Sequence, residues 1–211
     1  MNVLTNLTIN NRDSLQCITS VDGNDINLYN TVFTIWLLRK NHEMLNIDGF
    51  AVGHDLWEFW EDIKEALEQK RKIPKELRES AELGLLWNHH IQKIVLAEEA
   101  DKPLKSWSWI GDDLLFFANK GAGLNSSITF LYNNEQGEIV LEVCAVYPWF
   151  FGEDSSVDQY ISYDDWLPEY KTLYREVISY DTAKNWIKHL QDLYNKMNAN
   201  MPSGMDMPFD K

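Results

Sequence analysis

The clearest hydrophobic pattern in this chain lies between residues 55 and 72. Large apolar side chains recur there every three or four residues, while five acids fall on the opposite side of the helical wheel. Asp55 and Glu58 have the spacing of a capping pair at a helix N-terminus. The pattern therefore predicts an amphipathic helix over residues 55–72, with its acidic face in solvent.

Two further helices are predicted from apolar spacing and from proline. Pro74 suits the first turn of a helix that runs to about Glu99. Near the C-terminus, an apolar stripe predicts a helix over residues 181–197, with Asp181 as its cap. The helical part of the chain is thus expected to lie in its middle and at its end.

Other segments alternate with a period of two, as strands do. Residues 128–132 and 138–147 are two such runs, and the loop 133–137 between them ends in Gly137, which tolerates a positive φ. In the second run both alternating faces are apolar, apart from Glu142, which indicates a central strand. Residues 107–117 are predicted to add another strand.

The N-terminal part of the chain is read as short strands with polar turns, over residues 1–27. Residues 28–46 allow two interpretations. Thr31, Val32, Thr34 and Ile35 favour a strand, whereas the length of the segment and its later residues favour a helix, which we assign here.

These elements together predict an α+β fold with a single domain over residues 1–197. In it, a mainly antiparallel sheet packs against three or four helices. The sheet is expected to combine the N-terminal strands with residues 106–147. Residues 198–211 have two prolines, one glycine and three methionines without periodicity, which predicts a flexible tail.

Charge and aromatic residues are concentrated in residues 106–170. This window has eleven acids and one base, Lys120, so it accounts for −10 of the formal net charge of −14. It also holds 14 of the 27 aromatic residues. Carboxylates among large flat side chains suit a cationic or a polyhydroxylated partner. The same charge disfavours binding to nucleic acid and to anionic lipid.

The sequence has no pattern typical of secretion or of membrane insertion. Its first residues have neither a basic segment nor a continuous apolar run. The apolar stretch 35–38 is far too short to cross a bilayer. Cys17 and Cys144 lie far apart, and reduced thiols are expected for both. We therefore expect a cytoplasmic protein that binds no membrane.

The segment 147–154 is the best candidate for a binding site. Four aromatic residues within five positions leave a predicted strand and enter an acidic loop, with Trp149 on the side opposite Phe150. One side can join the core while the other faces a ligand, although a capped core edge remains the alternative. The predicted partner-binding residues are Trp107, Trp109, Asp112, Asp113, Trp149, Phe150, Glu153, Asp154, Asp158, Asp164 and Asp165.

No residue pattern predicts a cofactor, a metal or a catalytic centre. His89 and His90 are adjacent, and neighbouring helical residues diverge by about 100°, so the two do not readily share one ion. Cys144 is expected to be an inert core thiol because it lies in an apolar strand. A role other than catalysis is favoured, and the question of an enzyme stays open.

Two alternatives to protein binding remain. One is a carbohydrate-binding or carbohydrate-hydrolysing domain, in which tryptophans stack on sugar rings and paired acids act on the glycosidic bond. The acid pairs would be Asp112–Asp113 and Asp164–Asp165, and the stacking platforms Trp107, Trp109 and Trp149. The other is a scaffold domain, in which the tryptophans fill the core and the acids occupy turns.

Three motifs, WSWIGD at 107–112, LYNNEQGEIVLEV at 131–143 and YPW at 147–149, resemble uncharacterised bacterial cytoplasmic domains. Some proteins of this general kind are immunity partners in polymorphic toxin systems. The resemblance implies a small acidic protein that caps a toxin, often a basic nuclease, and it assigns no role to individual residues. We therefore expect a non-enzymatic acidic domain that binds and neutralises a basic partner protein.

Overall fold

The computed structural model of the chain describes residues 1–41, 43–53, 55–78, 82–100, 108–116, 127–147 and 161–201. Its α+β class agrees with the sequence prediction: two antiparallel sheets pack with five helices in a single domain. The predicted strands are divided between these two sheets, because each sheet buries its own set of alternating apolar side chains.

The first sheet is an antiparallel meander of four strands in the order β1-β2-β3-β4. The strands are β1 (Asn2–Thr8), β2 (Ser14–Thr19), β3 (Val32–Leu38) and β4 (Met44–Val52). The prediction of a helix over residues 28–46 is therefore wrong. The side chains of Phe33, Ile35 and Leu37 alternate into the core, and β2 and β4 supply hydrogen-bond partners on both edges of β3.

The second sheet has the order β5-β6-β7 and is also antiparallel. Its strands are β5 (Ser127–Asn133), β6 (Ile139–Ala145) and β7 (Thr172–Ile178). The predicted hairpin is confirmed, with Gly137 at φ +77° in its turn, and β6 is the central strand as expected. Strand β7 was not anticipated from the sequence.

Residues 108–116 do not form the strand that was predicted over residues 107–117. Asp112–Leu114 is a 3-10 helix, and only an isolated bridge joins Leu115 to Phe130 of β5. The carboxylate of Asp112 accepts a hydrogen bond from the backbone N–H of Trp109 at 3.2 Å. This local bond stabilises a turn and competes with extended structure.

The described residues form five α-helices: α1 (Asp55–Leu67), α2 (Lys75–Arg78), α3 (Leu83–Glu99), α4 (Tyr163–Trp166) and α5 (Tyr180–Ala199). Two predicted helices are altered, because α1 ends five residues early and the segment from residue 74 splits into α2 and α3. The cap of α5 is Ser179, whose hydroxyl accepts the Thr182 N–H, and not Asp181. Residues 202–211 of the predicted tail lie outside the described residues.

Two hydrophobic cores meet at the second sheet. The first core lies between the first sheet, α1 and α5, and it takes Leu131, Leu141 and Val143 from one face of the second sheet. The second core takes Phe130 and Val140 from the opposite face and packs them with parts of α3 and α4. Strand β6 is therefore buried on both faces, which explains why its sequence is apolar at every position except Glu142.

The early end of α1 allows a charged side chain to enter the interior. Gln69 takes a positive φ of 61° just after α1, and Arg71 becomes buried, with 3% of its surface exposed. The guanidinium donates to the backbone oxygens of Leu131 at 2.8 Å and Leu115 at 2.6 Å, and it is paired with Asp62. Arg71 thus joins α1, β5 and the segment 108–116.

The carboxyl of Asp62 gives the fold an expected pH dependence. Burial raises its pKa from an ordinary 3.8 to about 7, and the Arg71 guanidinium opposes this shift. The folded state therefore binds this proton more tightly than the unfolded state does. We expect this contribution to stability to be fully present below about pH 4 and to be lost as the pH rises through about 7.

Thermal unfolding of the wild type and of the D62N variant at a series of pH values tests this dependence. The wild type should lose more thermal stability than D62N between about pH 5 and about pH 8, since only the wild type has a carboxyl at this position to titrate. Superimposable profiles of the two proteins would contradict the raised pKa.

Candidate partner-binding site

Helix α3 is held against the end of β6 by a small residue and an amide. A Cβ atom on Gly84 would overlap the Cys144 side chain and would lie 2.7 Å from the hydroxyl of Tyr170, so only glycine permits this approach. The buried Asn88 donates to the backbone oxygen of Ala145 at 3.0 Å and accepts the Tyr147 N–H at 2.9 Å. These contacts set the position of α3 relative to the residues that leave β6.

The short helix α4 is held opposite α3 by its cap and by aromatic packing. Ser162 accepts the backbone N–H of Asp165 at 3.2 Å and donates to the Asp165 carboxylate at 2.6 Å. Tyr163 and Trp166 point inward from this turn. Their rings lie 5.3 Å and 5.5 Å from the Tyr147 ring in edge-to-face arrangements, which aromatic pairs favour.

A hydrogen bond connects α4 to α3 across 74 residues of sequence. The hydroxyl of Tyr163 lies 2.9 Å from Nδ1 of His89, and the two rings are 5.7 Å apart. Burial, with a smaller effect from the neighbouring Asp164 carboxylate, raises the pKa of Tyr163 to about 12. The phenol therefore stays neutral at physiological pH, and the tautomer of His89 decides which of the two groups donates.

An open cavity of about 670 Å³ lies between α3, α4 and the segment 108–116. It has the volume range of pockets that receive a ligand or a side-chain cluster. Its described lining is mainly apolar and aromatic. It also contains two histidines, one lysine and one aspartate. It includes Leu86, His89, His90, Lys93, Leu96, Trp109, Tyr163, Asp164 and Leu167.

The segments beside this cavity are acidic. Residues 108–116 and 161–170 contain five acids and no lysine or arginine: Asp112, Asp113, Asp164, Asp165 and Glu169. Asp113 and Asp164 are exposed, and no ion pair in the described part of the chain neutralises either of them. Their charge therefore remains available to a cationic group that approaches the cavity.

The structure brings together some of the predicted binding residues. Trp109 and Asp164 line the same cavity, whereas Asp112 and Asp165 also have local roles in a turn and a cap. Trp109 is 7% exposed and packs against Phe130 at 5.9 Å, so most of its ring belongs to the second core. Trp107, Trp149, Phe150, Glu153, Asp154 and Asp158 lie outside the described residues.

Most of the described lining was not among the predicted binding residues, including His89, Tyr163 and Leu167. The spacing of Ser162 and Asp165 was an available signal, because a serine followed three residues later by an acid is typical of a helix start. It would have placed Tyr163 in a helical turn. Nothing local in the sequence indicates that His89 would meet this turn.

The predicted inert thiol is buried, as expected. Cys144 has no exposed surface, and burial, followed by the adjacent Glu142 carboxylate, raises its pKa to about 12. The thiolate that would act as a nucleophile is therefore disfavoured. Among the described residues, no group of three His, Cys, Asp or Glu side chains is arranged to hold a metal ion.

Neither a membrane-spanning helix in the described residues nor a related protein helps to identify this site. Within the described ranges, every helix is too short or too polar to cross a bilayer. Comparisons with models of protein families, with curated proteins and with solved structures found no match for this chain.

Proposed function

We propose that this chain is a non-enzymatic binding domain that uses the cavity between α3 and α4 to bind a basic partner protein. The observation that carries the proposal is the convergence of Trp109, Tyr163 and Asp164 on one open cavity. Trp109 lies 54 positions before Tyr163 and 55 positions before Asp164, which are neighbours on α4. The two acidic segments can form one binding surface only if they meet in space in this way.

Electrostatics support a basic partner over an acidic or neutral one. The chain has a net charge of −14, to which the two segments beside the cavity contribute five acids and no lysine or arginine. Such a field speeds the encounter with a cationic surface and repels anionic ones. Screening limits this effect to about 8–10 Å at physiological salt, so acids that lie close to the cavity matter most.

Apolar surface at the cavity supports a stable complex in addition to a fast encounter. Leu96 in the lining is 51% exposed, and Ile110, next to Trp109, is 52% exposed. Burial of such side chains on docking contributes roughly 25 cal/mol per Å² of apolar surface. A lysine or arginine of the partner could place its apolar stem on this surface and its charge against Asp164.

In this proposal the partner is a toxin, and this chain is its cytoplasmic immunity protein. A protein that blocks a basic toxin by binding to it needs a binding surface and no catalytic residues. The carbohydrate alternative gains no specific support from the described residues, because Trp109 is mostly buried and two of the paired acids are engaged in local turns.

A charge reversal at the cavity should weaken binding far more than the same reversal elsewhere. The partner is first captured from the native host with the full chain and identified by mass spectrometry. Calorimetric titration then compares the wild type with Asp164→Lys and with Asp192→Lys, an exposed acid on α5. Both variants change the net charge equally, so only the local field differs. Asp164→Lys should raise Kd about tenfold or more, and Asp192→Lys less than about threefold.

An aliphatic pair provides a second comparison. Leu96 in the cavity and Val177 on β7 are both 51% exposed, so Leu96→Arg and Val177→Arg are matched in exposure and charge. Leu96→Arg should abolish measurable binding, and Val177→Arg should preserve it. The proposal fails if no basic protein is captured, if both members of either pair behave alike, or if the captured protein keeps its own activity when saturated with this chain.

A further inference from the structure

A second cavity has a volume of about 560 Å³. It lies beside the β5–β6 hairpin, the segment between α1 and α2, and the outer strand β7. Its polar lining is unlike that of the cavity between α3 and α4, because it combines a buried acid with three cations. The residues that matter are Lys72, Arg78, Tyr132, Asn133, Glu142 and Arg175.

The buried acid of this cavity, Glu142, lies in the middle of the central strand β6 and is 4% exposed. Its carboxylate accepts the Tyr132 hydroxyl at 2.7 Å and the Cys144 thiol at 3.3 Å, and Nε of Arg175 lies 3.6 Å away. A buried carboxylate is costly unless donors surround it. Among the described residues, only the tyrosine is at the distance of a strong bond, so the two oxygens can accept further donors.

Tyr132 stays protonated at physiological pH and so remains a hydrogen-bond donor to Glu142. Burial, followed by the Glu142 carboxylate, raises the pKa of Tyr132 far above its ordinary value. The phenol therefore remains a donor to the Glu142 carboxylate, which lines the cavity. Nearby, Oδ1 of the buried Asn133 has no hydrogen-bond partner among the described residues.

Three cations gather here although the chain as a whole is strongly acidic. Lys72, Arg78 and Arg175 outnumber the two acids of the lining, Glu135 and Glu142. Arg78 is oriented by a bond from its Nε to the backbone oxygen of Ile73 at 3.0 Å. The ammonium of Lys72 forms no hydrogen bond or ion pair within the described ranges, which leaves it available to a ligand anion.

We propose that this cavity binds a small zwitterion of the α-amino-acid class, with its ammonium on Glu142 and its carboxylate on Lys72 and Arg78. A simple anion would meet the buried Glu142 carboxylate, and a simple cation would meet three positive side chains. A ligand with both charges satisfies both ends of the lining. This site shares one lining residue, Leu77, with the partner-binding cavity, but it does not depend on that proposal.

Thermal shift with a panel of common protein amino acids tests the site. At about 100 times its Kd, a bound amino acid should raise Tm by roughly 5 °C or more. The same panel is run with acetate, which lacks the amine, and with methylamine, which lacks the carboxylate. Neither should shift Tm. For the amino acid that binds, the backbone amide signals of Asn134 and Gly137 should move in NMR spectra.

Variants at both ends of the site complete the test. Glu142→Gln keeps the shape of the side chain and should remove the shift, and circular dichroism verifies that this buried variant is folded. Lys72→Met and Arg78→Met, at exposed positions, should each raise Kd about tenfold. Lys75→Met, an exposed lysine on α2 outside the lining, should leave Kd unchanged. The site is overturned if no amino acid shifts Tm, if acetate or methylamine acts equally well, or if Lys75→Met matches Lys72→Met.

Discussion

Replacing Arg71 by methionine should cost about 3–5 kcal/mol of unfolding free energy, as is typical when one partner of a buried charged pair is removed. The guanidinium is buried and serves three separate parts of the fold. Methionine has a similar length but no donors, so the backbone oxygens of Leu131 and Leu115 and the carboxyl of Asp62 would all lose their partner. Buried acceptors without a donor are penalised by their full desolvation.

Urea denaturation followed by circular dichroism measures this loss, with Arg39→Met as the matched control. Arg39 forms an ion pair with Glu43 at 3.1 Å, and 39% of its side chain is exposed, against 3% for Arg71. Surface pairs of this kind contribute about 0–1 kcal/mol. Adding Asp62→Asn to Arg71→Met should recover part of the loss. A cost below about 1 kcal/mol for Arg71→Met would contradict the role of this residue.

Replacing Trp186 by alanine should destabilise the fold by about 3–5 kcal/mol, the usual cost of removing a large aromatic side chain from a core. Trp186 on α5 is 1% exposed and lies in the first core. Its indole Nε1 donates to the backbone oxygen of Thr8 at 2.7 Å, which ties α5 to the end of β1. Alanine would leave both a cavity and an acceptor without its donor.

Two comparisons separate the packing effect from the hydrogen bond. Trp186→Phe keeps much of the ring but removes the donor, so its loss should fall between those of alanine and wild type. Trp57→Ala is the same substitution at a ring that is 41% exposed and stacks on Trp60 at 4.9 Å. It should cost clearly less. Equal losses for Trp57→Ala and Trp186→Ala would show that burial at position 186 does not control stability.

The elements that were predicted well are those with a strong local period. Helices α1 and α5 were found because their apolar residues repeat every three or four positions over several turns. The β5–β6 hairpin was found because two alternating runs flank a short turn that ends in Gly137. In both cases neighbours in sequence are also neighbours in space, so a single sequence contains the relevant information.

The elements that were missed depend on partners distant in sequence. Strand β3 was predicted as a helix, since its local propensities are mixed and the decision comes from pairing with β2 and β4 on both edges. The end of α1 was placed too late because a periodic pattern does not reveal that Arg71 is buried by donating to Leu131 and Leu115. Each outcome follows from hydrogen bonds between residues that lie tens of positions apart in the sequence.

The sequence by itself determined that this protein is an acidic α+β domain whose charge and aromatic residues are concentrated in residues 106–170, because composition and short periods are local properties. Only the tertiary structure decided which of these residues meet. The bond from Tyr163 to His89, the cavity that Trp109 shares with Asp164, and the cations around Glu142 all join segments that are far apart in the chain. Such contacts form when both faces of the second sheet are buried, and burial is a property of the whole fold.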